Sequence, residues 1–214
     1  MRIENMMESI SWSKLYSYRL QIRKSYPSVY RIKIKKRLLD IIIEELKDFS
    51  KILDVGAHNR KLGEYLLKIN PTIIYKSMDI DKSLPHDYYN LNDINENFDI
   101  IILSEVIEHI HFEEGVRTLQ KLRELLNEDG KIIISIPNVD HPNRFFRDIT
   151  HKVPYRYDEL GAVLLYIGFN VNKIFRIYNE PFFKRLFRIY CASHLHRYLD
   201  VDFAPTVVVV ASRK

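Results

Sequence analysis

With 214 residues, 46% of them hydrophobic and 29% charged, and a net charge of +5, the chain has the make-up of one well-buried domain with additions. It is short for two full domains and too apolar for a disordered chain, and its apolar runs at 41–43, 100–103 and 207–210 fall far short of the ~20 residues a spanning helix needs. The lone Cys191 cannot form an internal disulfide, and residues 1–8 carry two acids and no apolar stretch of the secretory kind, so a cytoplasmic location is expected.

The charge is unevenly placed. Residues 1–50 hold 11 Lys/Arg against 6 Asp/Glu, 51–139 hold 10 against 15, and 140–214 hold 12 against 7. Basic flanks around an acidic centre would attract a polyanion, an anionic membrane or a phosphorylated substrate; solvated helix faces would look the same.

In chain order, residues 11–25 and 28–49 read as two helices, with Pro27 near the start of the second. Ile34, Leu38, Ile42 and Leu46 recur every four residues and predict a packed stripe. Arg31, Lys33, Lys35, Lys36 and Arg37 crowd the same helix, as an exposed face or a phosphate contact. Residues 51–55 then read as a buried strand, and the turn Gly56-Ala57-His58-Asn59 leads into a helix. In α/β proteins a ligand sits beyond the carboxyl end of such a strand, where small residues let the backbone approach it. Residues 72–79 predict a second strand ending in Asp79, the position from which an acid typically binds ribose hydroxyls. Strands follow at 98–103 and 131–138, with an amphipathic helix at 112–127 between them. A helix at 157–166 and strands at 168–175 and 206–211 close the pattern, which indicates a mainly parallel sheet covered on both faces. Residues 179–202 form an insertion rich in Phe, Tyr, Lys and Arg, suited to a peripheral membrane contact, a partner interface or a cover for the substrate pocket.

The run Ile52-Leu-Asp-Val-Gly56, then Asp79, then residues 98–109 ending in Ser-Glu-Val-Ile-Glu-His, then Leu126-Asn-Glu-Asp-Gly-Lys-Ile-Ile-Ile-Ser-Ile-Pro-Asn138, resembles a class I S-adenosylmethionine-dependent methyltransferase. The resemblance covers residues 50–214 and implies a Rossmann-like, seven-stranded, mostly parallel sheet with an antiparallel last strand, carrying extra N-terminal helices over 1–50. It implies S-adenosyl-L-methionine as cofactor. Asp54, Gly56, Ala57 and His58 would lie by its amino-acid end, Asp79 on its ribose and Asn90 with Leu91 beside its adenine, and Ser104 and Glu105 would close the pocket. The chain departs from the family where His58 and Arg60 replace the later glycines of the turn. A nicotinamide dehydrogenase is excluded by the absence of G-x-G-x-x-G.

On the acceptor side, Glu105, Glu108 and His109 stand at i, i+3 and i+4, so one helical turn would put them on one face, and His151 joins them from a later loop. Two roles are open. A histidine, with an ordinary pKa near ~6.5, can take a proton from an acceptor hydroxyl during methyl transfer. Alternatively, two carboxylates and two imidazoles can hold a divalent metal, as in the small-RNA 2′-O-methyltransferases, which these positions are similar to. Asp148 with His151 also fits quinone and glycan O-methyltransferases. The expected function is therefore O-methylation of a sugar, a lipid-linked glycan or a small metabolite, with His151, His109 and Glu108 as catalytic candidates. Metal-dependent methylation of RNA and a non-catalytic binding module are the alternatives.

Overall fold

The computed structural model describes residues 11–213, so residues 1–8, read above for a leader, lie outside the described residues. In chain order the elements are α1 (Trp12–Ser25), β1 (Lys33–Lys35), α2 (Leu38–Glu45), β2 (Lys51–Val55), α3 (Lys61–Ile69), β3 (Ile74–Met78) and β4 (Phe98–Ser104). They continue with α4 (Phe112–Glu124), β5 (Leu126–Pro137), α5 (Tyr157–Tyr166), β6 (Phe169–Ile177), α6 (Phe182–Leu186), α7 (Ser193–Tyr198) and β7 (Thr206–Arg213). The seven strands form one sheet in the order β1-β6-β7-β5-β4-β2-β3. Only β7 runs against its neighbours, β5 and β6; every other pairing is parallel.

The near-continuous apolar runs of β2, β4 and β5 explain their central place, since a strand buried on both faces needs no polar alternation. On one face Ile22, Leu119, Leu122 and Leu160 of α1, α4 and α5 pack over Leu53, Ile101 and Ile134. On the other, Ile41, Ile42 and Leu66 of α2 and α3 pack over Ile52, Ile102 and Ile133. The register sets Asp54 of β2 opposite Ser77 of β3 and Ile102 of β4, so the carboxyl ends of these strands open at one rim.

The single helix expected over 28–49 is not formed. Its first part is a 3₁₀ turn (Val29–Arg31) followed by β1, which pairs in parallel with β6 at the sheet edge, and only Leu38–Glu45 is helical. Ile34 thus belongs to a strand, and the spacing that linked it to Leu38 was coincidental. The basic residues of this stretch do not share a helix face. Lys33 and Lys35 sit on an edge strand, where charge discourages pairing with another chain, and Lys35 and Arg37 pair with Glu44 and Asp40.

Two buried charge clusters fasten the additions to this frame. The fully buried Asp158 of α5 accepts hydrogen bonds from Arg19 Nε and Arg23 Nε of α1 at 2.7 and 2.6 Å. Gly161 makes room for that docking, since a Cβ there would stand 2.9 Å from Ile22. At the far end, buried Arg176 of β6 pairs with Asp202 at 2.6 Å and donates to the Ile32 carbonyl, while Asn138 Nδ2 donates to Asp202 and to the Ala204 carbonyl, both at 2.8 Å. These bonds anchor the return of the inserted segment, which is α6, one π-helical turn (Phe187–Cys191) and α7. No helix among the described residues is long and apolar enough to cross a membrane.

Removing one partner from a buried ion pair leaves the other charged and unpaired. Arg176→Met is expected to cost roughly 3–5 kcal/mol in urea unfolding, and a loss well under that would mean Asp202 is adequately held by Asn138 and the Ala204 backbone N–H.

Candidate functional site

The turn after β2 closes on the end of β3. Gly56 adopts φ 73°, and a Cβ on it would lie 2.4 Å from a methyl of Val106, so only glycine fits. The Gly56 and Ala57 N–H groups donate to the Met78 carbonyl at 2.8 and 3.2 Å, and the His58 N–H donates to Asp79 Oδ2 at 2.9 Å. These N–H groups serve the fold, so the turn is not an open anion cradle. His58 and Arg60 hold φ 41° and 59°, the left-handed backbone that glycine adopts freely. The chain keeps the conformation of a glycine-rich turn without the glycines. The Arg60 side chain swings away, reaching Asp87 at 3.4 Å and lying over the Tyr75 ring, and the His58 side chain is exposed.

The carboxylates below that turn are held differently. Asp54 is buried and accepts a 2.7 Å bond from the Tyr75 hydroxyl; burial, aided by the charge of Asp79, pushes its pKa up to about 6 despite that bond. Asp79, half-buried, accepts from the His58 and Asp81 N–H groups, which leaves lone pairs on both oxygens. Asn90 caps the 3₁₀ turn Leu91–Asp93 by accepting from Asn92 N, and the same loop is tied to β3 where Asp79 N donates to the Tyr88 carbonyl.

Across the rim, the chain leaves β4 through Glu105 at φ 56°, whose N–H donates to the Ser135 carbonyl, while the Ser104 and Ser135 hydroxyls are 3.2 Å apart. A 3₁₀ turn (Ile107–His109) follows. Because Glu105 is left-handed and stands before this turn, it does not share a face with Glu108 and His109 as the spacing suggested. Its carboxylate instead pairs with Arg144 at 3.0 Å. Burial raises the Glu105 pKa, and the Arg144 charge opposes that rise.

Glu108, His109 and His151 do meet: one donor atom from each lies within 4.8 Å of the others. The two imidazole rings stand 4.7 Å apart, edge to face. Glu108 is 1% exposed, neither carboxylate oxygen has a hydrogen-bond partner, and burial, with the charge of Glu105 adding to it, pushes its pKa up to about 8. The loop carrying His151 is pinned under it by Lys152 and Val153 N–H groups donating to the Glu108 carbonyl at 2.7 and 3.1 Å. The tautomers follow from the neighbours. The His151 Nδ1–H donates to the Phe145 carbonyl at 2.6 Å. The Thr150 hydroxyl donates to Asp148 Oδ1 at 2.6 Å, so it accepts from the His109 Nδ1–H at 2.8 Å. Both rings therefore keep a lone pair on Nε2. Asp148 serves this network rather than reaching the cluster itself.

Arg144, Thr150 and the Phe145 carbonyl escaped the sequence reading. The Asp-x-Thr-His spacing did contain Thr150, but a lone threonine in a loop carries no pattern, and a backbone carbonyl none at all.

A family model described as a methyltransferase domain matches residues 27–190. No curated protein matches the chain. Among solved structures, it is similar to a SAM-dependent methyltransferase from Archaeoglobus fulgidus (17% identity, TM-score 0.56, covering 93% of this chain and 94% of that one). It is likewise similar to a TehB-like SAM-dependent methyltransferase from Corynebacterium glutamicum (18%, TM-score 0.57, 94% and 98%) and to the [4+2]-cyclase SpnF (13%, TM-score 0.59, 94% and 93%). At these identities the likeness is one of fold.

The raised pKa of Asp54 has a defined sign. The folded state holds its proton more tightly than the unfolded chain, so the stability linked to that proton is complete below about pH 4 and is lost as pH rises through about 6. Asp54→Asn keeps the Tyr75 bond without the charge. In urea unfolding it is expected to gain up to roughly 3 kcal/mol over the parent near pH 7, shrinking toward zero near pH 4; a pH-independent difference would contradict the shift.

Proposed function

The chain belongs to the methyltransferase-domain family, and from that premise we propose that it transfers the methyl group of S-adenosylmethionine to a hydroxyl oxygen of a sugar, a lipid-linked glycan or another small metabolite. The rim of β2 and β3 fits that cofactor. Gly56 lets the turn pass directly under Val106 at the end of β2, and Asp79 retains lone pairs for ribose hydroxyls. Asp54, Ala57 and His58 would border the amino-acid end, Asn90 and Leu91 the adenine, and Ser104 and Glu105 the remaining wall. Bound there, the cofactor supplies a methyl carbon on a positively charged sulfur.

The observation that carries the acceptor assignment is the pair of imidazoles, each with Nδ1–H committed and Nε2 left with a lone pair, beside the carboxyl end of β4. The Glu108, His109 and His151 cluster takes up the acceptor's proton as the oxygen–carbon bond forms and the sulfur–carbon bond breaks, its electron pair remaining on sulfur. The Thr150–Asp148 relay and the Phe145 carbonyl hold the rings in the tautomer this needs.

A lipid-linked acceptor is favoured by the surface around the cluster. Phe146 and Ile149, in the loop that carries His151, are 85% and 100% exposed. The neighbouring insertion exposes Phe182, Phe183, Phe187 and Tyr190 among Lys184, Arg185 and Arg188, and the charges of Arg147, Arg188 and Arg144 add to burial in lowering the pKa of His141 in that same loop. Exposed apolar side chains interleaved with cationic ones along the insertion suit an anionic membrane surface. The RNA alternative rests on four ligands that include Glu105, and the Glu105–Arg144 pair removes one of them.

Incubating the protein with labelled S-adenosylmethionine and fractionated cell extract should place label in a small or lipid-extractable product; label confined to RNA would contradict the reading. His151→Ala should lower kcat by about 10²-fold or more while leaving cofactor affinity within a few-fold. Loss of cofactor binding instead would move His151 off the acceptor side.

A further inference from the structure

A carboxylate sealed from solvent with both oxygens unpartnered is a rare arrangement, and an unmet ligand is among the few physical reasons for one. Glu108 is such a group, and it does not stand alone. Two imidazoles bring a donor atom within 4.8 Å of it, and each is oriented by a hydrogen bond from Nδ1, one to the Phe145 carbonyl and the other to the hydroxyl of Thr150, itself bonded to Asp148. Histidines that bind metals are held in this way: the far ring nitrogen is tied to a carbonyl or, through a relay, to a carboxylate, and the near one is left as a lone pair.

The geometry points to a binding site for a divalent first-row transition cation formed by Glu108, His109 and His151. Two imidazole nitrogens and one carboxylate are a borderline donor set that favours zinc, iron, cobalt or manganese over the all-oxygen coordination of magnesium and calcium. The half-buried rings of His109 and His151 leave room for the three donors to settle around one ion at metal–ligand distances of roughly 2.0–2.2 Å. The nearby carboxylates of Glu105 and Asp148, both of which act on Glu108, add negative potential, and Arg144 opposes it from its pair with Glu105. Three protein ligands leave coordination positions open. With the cation bound, both Nε2 lone pairs would be ligands, so an acceptor hydroxyl at an open position would lose its proton to solvent water rather than to an imidazole. A neighbouring oxygen could fill another position, so the site selects acceptors with two adjacent oxygens. This deepens the acceptor reading and rests on it for that last step alone; cation binding itself requires no transferase activity.

The test uses the full chain, stripped with a chelator and titrated with cobalt(II), read by visible d–d absorption and calorimetry in the absence of S-adenosylmethionine. One equivalent should bind saturably, raise the melting temperature and be displaced by zinc. Glu108→Gln, His109→Ala and His151→Ala should each weaken binding about 10-fold or more, Thr150→Ala should weaken it about 10- to 100-fold through His109, and Glu105→Gln, which removes a nearby charge but no ligand, should weaken it less than any of the ligand variants. Absence of saturable binding, or binding that survives both histidine variants, would overturn the site. If cobalt(II) fails to bind but His151→Ala still abolishes methyl transfer, the metal proposal falls and the proton-acceptor reading stands. Specific binding without any transferase activity would leave the site standing and sink that reading.

Discussion

The turn that ends β4 constrains both halves of the site. As the chain leaves the strand, Glu105 takes a left-handed backbone and bonds to the Ser135 carbonyl, which turns Val106 against Gly56. That contact fixes the floor of the cofactor side, because nothing larger than glycine can stand under Val106. The next residues form a single 3₁₀ turn that buries Glu108 and presents His109 to the loop bearing His151. A non-glycine residue in the left-handed region costs of the order of 1 kcal/mol or more, and the chain accepts this at Glu105, His58 and Arg60, all around one rim. Among the described residues Phe49, Asp129 and Asp200 share that backbone away from the rim, so the left-handed residues are partly turn geometry and only those at the ends of β2 and β4 shape the site.

The rest of the fold holds that rim steady. Asp158 with Arg19 and Arg23 fastens α1 onto α5, and Arg176 with Asp202 and Asn138 fastens the return of the inserted segment to the sheet. Buried ion pairs contribute modestly to stability but specify position strongly, since any displacement strands a charge. α1 and the aromatic-basic insertion are thereby fastened to the frame, while the apolar side chains of α6 and the π-helical turn remain outward.

Much of this was legible in the residues. The buried strands β2, β4 and β5 announced themselves as apolar runs bounded by turn residues, and α5 was read with the ends it has. The antiparallel β7 followed from family resemblance rather than from pattern. β1 was missed because three residues of edge strand, two of them lysine, carry no period of their own and lay in line with a genuine helical stripe. The candidate site was legible as a set of residue types but not as a geometry. Helical spacing placed Glu105 beside Glu108 and His109, and only the left-handed backbone at Glu105 separates them, a choice that no i, i+3, i+4 pattern encodes for a non-glycine residue. The bonds that set the histidine tautomers run to a hydroxyl and a carbonyl, groups too common in any sequence to stand out.

The central claim is that the His109 and His151 rings face the reacting sulfur across the space an acceptor oxygen would occupy. A crystal structure of the chain with S-adenosylhomocysteine bound measures this directly. The account predicts the ligand's ribose on Asp79 and its sulfur turned toward both imidazoles, with no protein atom between them. A sulfur pointing away from the Glu108, His109 and His151 cluster, or separated from it by the Glu105–Arg144 pair, would contradict it.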